Sequence, residues 1–162
     1  MRVGLFGFGR TGAMVAQEMI NAPDSELVWI VRKSNRHAGE YASRLQGYDY
    51  DEGLIHWVED IDADFFMRYP VDVIIDFSAS ETVNLYKHAA SLGIRFLSAI
   101  SNYARDDLAE LKKMARKTAV LYSPNISIGV NWLLLTSVVV RSRIPQADVA
   151  IMEEHFSQKQ DI

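Results

Sequence analysis

The chain has no cysteine among its 162 residues. That absence excludes disulfides, thiolate nucleophiles and cysteine-ligated metals, and it fits a reducing cytosol. Histidine is scarce as well. His37, His56, His88 and His155 stand apart from one another with no ligand cluster around them, so no metal site is expected. Long apolar runs are also missing. The longest, Trp132 to Val140, is interrupted by Thr136 and Ser137 and falls far short of the ~18 residues that suggest a membrane span. Met1 to Gly9 is too short, and too soon rich in glycine, for a secretory signal. Nor is there an excess of positive charge. Seventeen Lys and Arg against 21 Asp and Glu give −4, which leaves no global basic field for nucleic acid or an anionic membrane. These absences lead to the expectation of a soluble cytoplasmic protein with neither nucleic acid nor membrane as partner.

What remains is an ordinary globular composition, 49% hydrophobic and 23% charged, with room for one full domain and part of a second. Short apolar runs alternate with amphipathic segments. Arg2 to Phe6, Leu27 to Val31, Val71 to Phe77, Ile94 to Ala99 and Ala119 to Ser123 read as strands. Thr11 to Ile20 reads as a helix with Met14, Val15, Met19 and Ile20 available for one face. Ser78-Ala79-Ser80-Glu81 has the spacing of a capping box and predicts a helix start, followed by Val83, Tyr86 and Ala90 at helical spacing. Arg105 to Lys117 carries a stripe of Leu108, Leu111 and Ala115, with acids in its first turn and bases at its end. Gly39 to Trp57 gives no clear pattern, and Tyr48 to Gly53 reads as a loop. Strands alternating with helices argue for an α/β fold, a Rossmann-like doubly wound parallel sheet. After Pro124 the pattern changes. Trp132 to Val140 reads as a helix packed on all sides and Asp148 to Met152 as a strand, so a boundary is expected near Ser127. Residues 1–127 would form a dinucleotide-binding domain, and 128–162 the incomplete beginning of a second α+β domain for substrate binding and oligomerisation.

Gly7-Phe8-Gly9-Arg10-Thr11-Gly12 is G-x-G-x-x-G, directly after the first strand and opening a helix, which is the context the motif requires. Gly7 would allow the tight turn, Gly9 the approach of a pyrophosphate, and Gly12 close packing of helix on strand, with the helix N-terminus facing the anion. An NAD-binding domain usually ends its second strand with Asp or Glu about 20 residues on, to hold the ribose 2′-hydroxyl. Here that position falls in Arg32-Lys33-Ser34-Asn35-Arg36, with no carboxylate. Arginine stacks on adenine and, like lysine, meets a 2′-phosphate. NADPH is therefore the expected cofactor, with NADH the second candidate.

Two further segments carry a family resemblance. Pro124-Asn125-Ile126-Ser127-Ile128-Gly129-Val130-Asn131 follows the fifth expected strand, and Glu153-Glu154-His155-Phe156-Ser157-Gln158-Lys159-Gln160-Asp161 ends the chain. With the glycine turn and Asp76-Phe77-Ser78, in that order, they resemble the 4-hydroxy-tetrahydrodipicolinate reductase family of diaminopimelate and lysine synthesis. That family carries I-D-F-(S/T) at a strand end, a P-N-(F/Y)-S-x-G-V-N hinge and an E-x-H-H-x-x-K-x-D-A-P-S-G-T loop. The resemblance implies a nicotinamide-dependent reductase, homotetrameric at full length, transferring hydride to a cyclic imine dicarboxylate. It implies His155 as general acid or proton relay, and Lys159 as the cation for a substrate carboxylate. It adds Phe77, Ser78, Ser98, Ser101 and Asn125 to the expected cofactor contacts. Three departures stand out. Phe156 replaces the family's second histidine, Ser98-Ala99-Ile100-Ser101 replaces its G-T-T-G beside the nicotinamide, and the sequence reaches Ile162 where A-P-S-G-T would begin. Two other readings remain open, a non-catalytic NADPH-binding module and a dehydrogenase of another small amino or keto acid.

Overall fold

The computed structural model describes residues 1–150 and 152. Six strands form one sheet: β1 (Arg2–Phe6), β2 (Glu26–Arg32), β3 (Leu54–Trp57), β4 (Val73–Asp76), β5 (Arg95–Ser98) and β6 (Val120–Tyr122). Their order is β3-β2-β1-β4-β5-β6 and every adjacent pair is parallel. The chain runs outward from β1 through β2 to β3, then returns to lay β4 on the other side of β1. That reversal leaves a crevice above the carboxyl ends of β1 and β4, the place where open α/β sheets bind ligands.

A parallel sheet needs cover on both faces, and the side chains divide accordingly. Val3, Leu5, Ile30, Ile55 and Ile75 face α1 (Arg10–Asn21) and α2 (Ala42–Leu45), against Ala16, Ile20 and Ala42. Phe6, Trp29, Val31, Ile74 and Phe96 face the other way. They meet Phe65 and Phe66 of α3 (Phe65–Arg68), Val83 and Tyr86 of α4 (Val83–Tyr86), and Leu111 and Met114 of α5 (Arg105–Met114). Trp29 is the hub of the aromatic face, edge-on to Phe6 and Phe65 at 5.5 and 5.3 Å between centroids. A register shift between Val3 and Gly4 offsets β1 against β2, which lets Leu27 and Trp29, two residues apart, reach opposite faces.

All five expected strands are present within a residue or two at each end, and β3 is an addition. It lies in the segment that gave no clear pattern and pairs Trp29 to Arg32 with Leu54 to Trp57. Several details differ from the sequence-based reading. On α1 the buried residues are Gly12, Ala16 and Ile20, while Met14 is exposed, because small residues bring the helix close to the sheet. α5 ends at Met114, which is buried in place of the exposed Ala115. The capping box does not form. The helical stretch begins as a 3₁₀ turn over Ser80–Thr82, with no side-chain cap, passes through α4 and returns to 3₁₀ over Lys87–Leu92.

The last helix among the described residues, α6 (Ile128–Arg143), contains the expected Trp132 to Val140 but is not packed on all sides: none of its residues is buried. Its start is well determined. Ser127 Oγ accepts the Val130 N–H at 3.3 Å, and Asn131 Nδ2 donates to the carbonyls of Asn125 and Ser127 at 2.9 and 3.1 Å. The P-N-I-S-I-G-V-N segment is thus a self-contained N-terminal cap. The strand expected over Asp148 to Met152 is absent from its described residues, 148–150 and 152, which are irregular. Among the described residues no helix is long and apolar enough to cross a membrane.

Candidate dinucleotide-binding site

The turn after β1 is shaped by its glycines. Gly7 has φ +97°, donates its N–H to the Val31 carbonyl at 2.9 Å, and would place a Cβ 2.7 Å from the Phe77 carbonyl oxygen. A side chain there is excluded by conformation and by space. A Cβ on Gly12 would overlap the Gly7 carbonyl oxygen, so the first turn of α1 rests directly on the loop. Gly9 differs: nothing lies within 4 Å of where its Cβ would be. The open backbone therefore stands at the helix N-terminus, which no side chain caps. N–H groups of a first helical turn and the positive end of the dipole suit an anion at that spot.

Two cavities flank this turn. The larger, ≈ 680 Å³, is lined by Gly7, Phe8 and Gly9, by Arg32, Lys33 and Ser34 at the end of β2, and by Phe77, Ser78, Val58 and Leu85. The second, ≈ 470 Å³, lies toward β5 and is lined by Thr11, Ser80, Ala99 to Asn102 and Ile126. Phe77, Ser78, Ala79 and Glu81 wall both, making one cleft along the carboxyl edge of the sheet. Its length and division suit a two-part ligand, one half on either side of the glycine turn.

At the β2 end, the Arg32 guanidinium lies 5.7 Å from the centre of the Phe8 ring and donates to the Arg36 carbonyl at 3.0 Å. Lys33 Nζ is 3.4 Å from Glu81 Oε1, across the mouth of the larger cavity. β2 thus ends in bases with no acid of its own, and Glu81 approaches from the opposite wall. Sequence reasoning gave Glu81 only a capping role. Its place in the cleft follows from the reversal that lays β4 beside β1.

Beneath the shared wall lies a polar cluster. Asp76, at the end of β4, is 1% exposed. Its Oδ1 accepts the Ser78 N–H at 2.9 Å and the Ser78 hydroxyl, and its Oδ2 accepts the Tyr86 hydroxyl at 2.6 Å. Tyr103 continues the cluster, its hydroxyl 3.5 Å from that of Tyr86 and 2.8 Å from Ser98 Oγ. Burial pushes the Asp76 carboxyl up to about 6, against the downward pull of hydrogen bonds from Ser78 and Tyr86. Burial also raises the Tyr86 and Tyr103 phenols above their ordinary range.

Of the expected cofactor residues, Gly7, Phe8, Gly9, Arg32, Lys33, Ser34, Phe77 and Ser78 line the larger cavity, and Thr11 and Ser101 line the second. Gly12 supports the turn from below, and Arg10 opens α1. Ser98 and Asn125 are not among the residues lining either cavity. Ser98 is buried, and its hydroxyl is turned toward Tyr103. Asn125 offers its carbonyl to Ser123 and Asn131, leaving its neighbour Ile126 at the cavity wall. His155 and Lys159 lie outside the described residues. His37 is 3.0 Å from Glu40, His56 packs between Phe65 and Tyr69, and His88 packs on Phe66, so none of the three lines the cleft. No group of three or more potential ligands for a metal occurs among the described residues.

A parallel sheet in this order, with a glycine turn under an open cleft at its reversal point, defines a Rossmann-type dinucleotide-binding domain. The family model of the dihydrodipicolinate reductase N-terminus matches residues 1–126, and the chain belongs to that family. The 4-hydroxy-tetrahydrodipicolinate reductase of Thermomicrobium roseum is 30% identical over 99% of this chain, which spans 60% of that relative's length. A dipicolinate-bound dihydrodipicolinate reductase from Paenisporosarcina sp. TG-14 superposes with a TM-score of 0.64 at 16% identity, covering 88% of this chain and 54% of that one. The NAD(H)- and scyllo-inositol-bound scyllo-inositol dehydrogenase of Lactobacillus casei gives 0.60 at 12% identity, covering 87% and 42%. At these identities the structural likenesses describe the fold.

Proposed function

We propose that this chain supplies the cofactor-binding part of a cytoplasmic NADPH-dependent reductase that acts on a cyclic imine dicarboxylate in lysine and diaminopimelate synthesis. The observation that carries the reading is the cleft itself, in which the glycine turn, the α1 N-terminus and a basic strand end surround one continuous space. The residues fit a nicotinamide dinucleotide. Gly9 leaves room for the pyrophosphate, and Arg32 beside Phe8 offers a surface for adenine and a cation for a 2′-phosphate. When bound, the nicotinamide supplies a hydride. Thr11, Ser78 and Ser101, which line the second cavity, would hold that ring. By family resemblance, His155 would deliver the proton and Lys159 would hold a substrate carboxylate. Residues from 128 onward would open the substrate and oligomerisation domain of a homotetramer.

A second reading is a non-catalytic NADPH-binding module. It draws support from Ser98, whose hydroxyl is engaged with Tyr103 at the start of the segment that replaces the family's G-T-T-G. Calorimetry decides the cofactor. NADPH is expected to bind more tightly than NADH, and Arg32→Ala to weaken NADPH about tenfold and NADH, which shares the adenine but not the 2′-phosphate, by clearly less. An NADH preference, or equal losses for both cofactors, overturns the assignment. Oxidation of NADPH with freshly generated hydroxytetrahydrodipicolinate separates reductase from module.

A further inference from the structure

We propose that Asp76 is a positioning residue for the dinucleotide: its buried carboxylate grips both the N–H and the hydroxyl of Ser78 and so fixes the Phe77–Ser78 turn that walls both cavities. The inference deepens the cofactor reading and rests on it. Asp76 touches neither cavity, yet it ties Ser78 of the shared wall to the end of β4, beside the bond from the Phe77 N–H to the Phe6 carbonyl of β1. β4 ends at Asp76, the next two residues line the cleft, and the Phe77 carbonyl backs directly onto Gly7. A displacement of this turn therefore moves the glycine loop as well as the wall.

A carboxylate accepts hydrogen bonds more strongly than a carboxylic acid. The ionised form of Asp76 holds Ser78 firmly, whereas the protonated form spends one oxygen as a donor and holds it weakly. The groups around Asp76 set where that change falls. Ser78 belongs to its own loop, Tyr86 comes from α4, Glu81 from the turn before it, and Tyr103 from the loop after β5, with Ser98 of β5 behind Tyr103. Ser78 and Tyr86 favour the carboxylate, while burial and Glu81 oppose it. Dinucleotide binding that needs a fixed turn favours the carboxylate too. The sign follows: affinity is full above the titration of Asp76 and falls as pH drops through about 6.

The test is NADPH binding by calorimetry from pH 5 to pH 8 with the wild-type chain, Asp76→Asn and Tyr86→Phe, after a thermal melt confirms that each folds. The 2′-phosphate of NADPH itself titrates near this range, so the ratio of wild type to Asp76→Asn, in which that contribution cancels, is the quantity read. The wild type is expected to lose about three- to tenfold more affinity between pH 7.5 and pH 5 than Asp76→Asn. Tyr86→Phe, which removes a bond favouring the charged form, is expected to move the wild-type midpoint to higher pH. A ratio independent of pH, or an unmoved midpoint in Tyr86→Phe, overturns the positioning role while leaving the cofactor assignment standing. Absence of NADPH binding at every pH overturns that assignment, and this inference with it.

Discussion

Gly12 illustrates how narrow the tolerances are at single positions of the cleft. A methyl group there would overlap the Gly7 carbonyl oxygen, which is backbone and has no alternative rotamer to adopt. Either α1 lifts from the sheet or the Gly7 turn distorts, and both outcomes spoil the loop that faces the dinucleotide. Gly12→Ala is expected to destabilise the fold by about 1–3 kcal/mol, the usual cost of overpacking, and to weaken NADPH more than tenfold. Urea denaturation and calorimetry measure the two effects. Retained stability with retained affinity would show that the turn can relax without consequence. Gly9→Ala provides the contrast: its Cβ meets nothing in the ligand-free protein, so stability should change little and affinity should carry the loss. The G-x-G-x-x-G spacing foretold these roles because each depends on backbone geometry close in sequence. The role of Asp76 was not foretold. Its burial arises from α4 and the loop after β5, which converge on it only in the folded chain.

Among the elements, the segment after β4 departs most from its sequence pattern. Ser78 and Glu81 have the spacing of a capping box, but Ser78 is already held by Asp76 two residues earlier, and Glu81 faces Lys33 across the cleft. A tertiary contact stands in for the local cap. Ser80 Oγ donates to Asp107 Oδ2 at 2.6 Å and accepts the Ala104 N–H at 2.8 Å, so it organises the first turn of α5. Ser80→Ala is expected to cost about 1 kcal/mol, comparable to the loss of an N-cap, with fraying of α5 visible as faster amide exchange at its N-terminus. Unchanged exchange there would place the determinant in Asp106 and Asp107 alone. β3 escaped the sequence reading for a different reason. Four residues, Leu-Ile-His-Trp, are too few for a two-residue period to show, and His56 interrupts the apolar run. Once folded, the His56 ring stands edge-on to Phe65, 5.0 Å between centroids, and burial lowers its pKa. The five other strands were legible because each centres on a short, mostly apolar run bounded by turn residues, which is the signal of a buried parallel strand.

At the scale of the whole molecule, the centre of the sheet is covered on both faces, whereas Leu121 on β6 is 59% exposed and α6 stands largely in solvent. Ile128, Trp132, Leu135 and Val138 are 88%, 71%, 63% and 69% exposed, and Leu134 and Val139 add to the same apolar surface. Between Trp132 and Val140 only Thr136 and Ser137 are polar, so the helix has no broad hydrophilic side to turn outward. A helix apolar on every side is one suited to burial, and this is why its sequence reads as packed while the described structure leaves it uncovered. Covering a large apolar side chain fully is worth roughly 1.5–3 kcal/mol, so a few such contacts between copies would outweigh the cost of associating two chains. The 162-residue chain is therefore expected to self-associate with rising concentration in the micromolar range, as read by sedimentation velocity. Trp132→Glu with Leu135→Glu should restore the monomer and lower the binding of an apolar dye. Because neither residue lines the cleft, the same double variant should keep NADPH affinity within about twofold, a change near the ordinary effect of surface substitutions. A chain monomeric at every concentration would mean that α6 finds its cover within its own molecule. A loss of NADPH affinity in the monomeric variant would instead couple the helix to the cleft, with Ile126 and the Asn125–Asn131 cap as the connection.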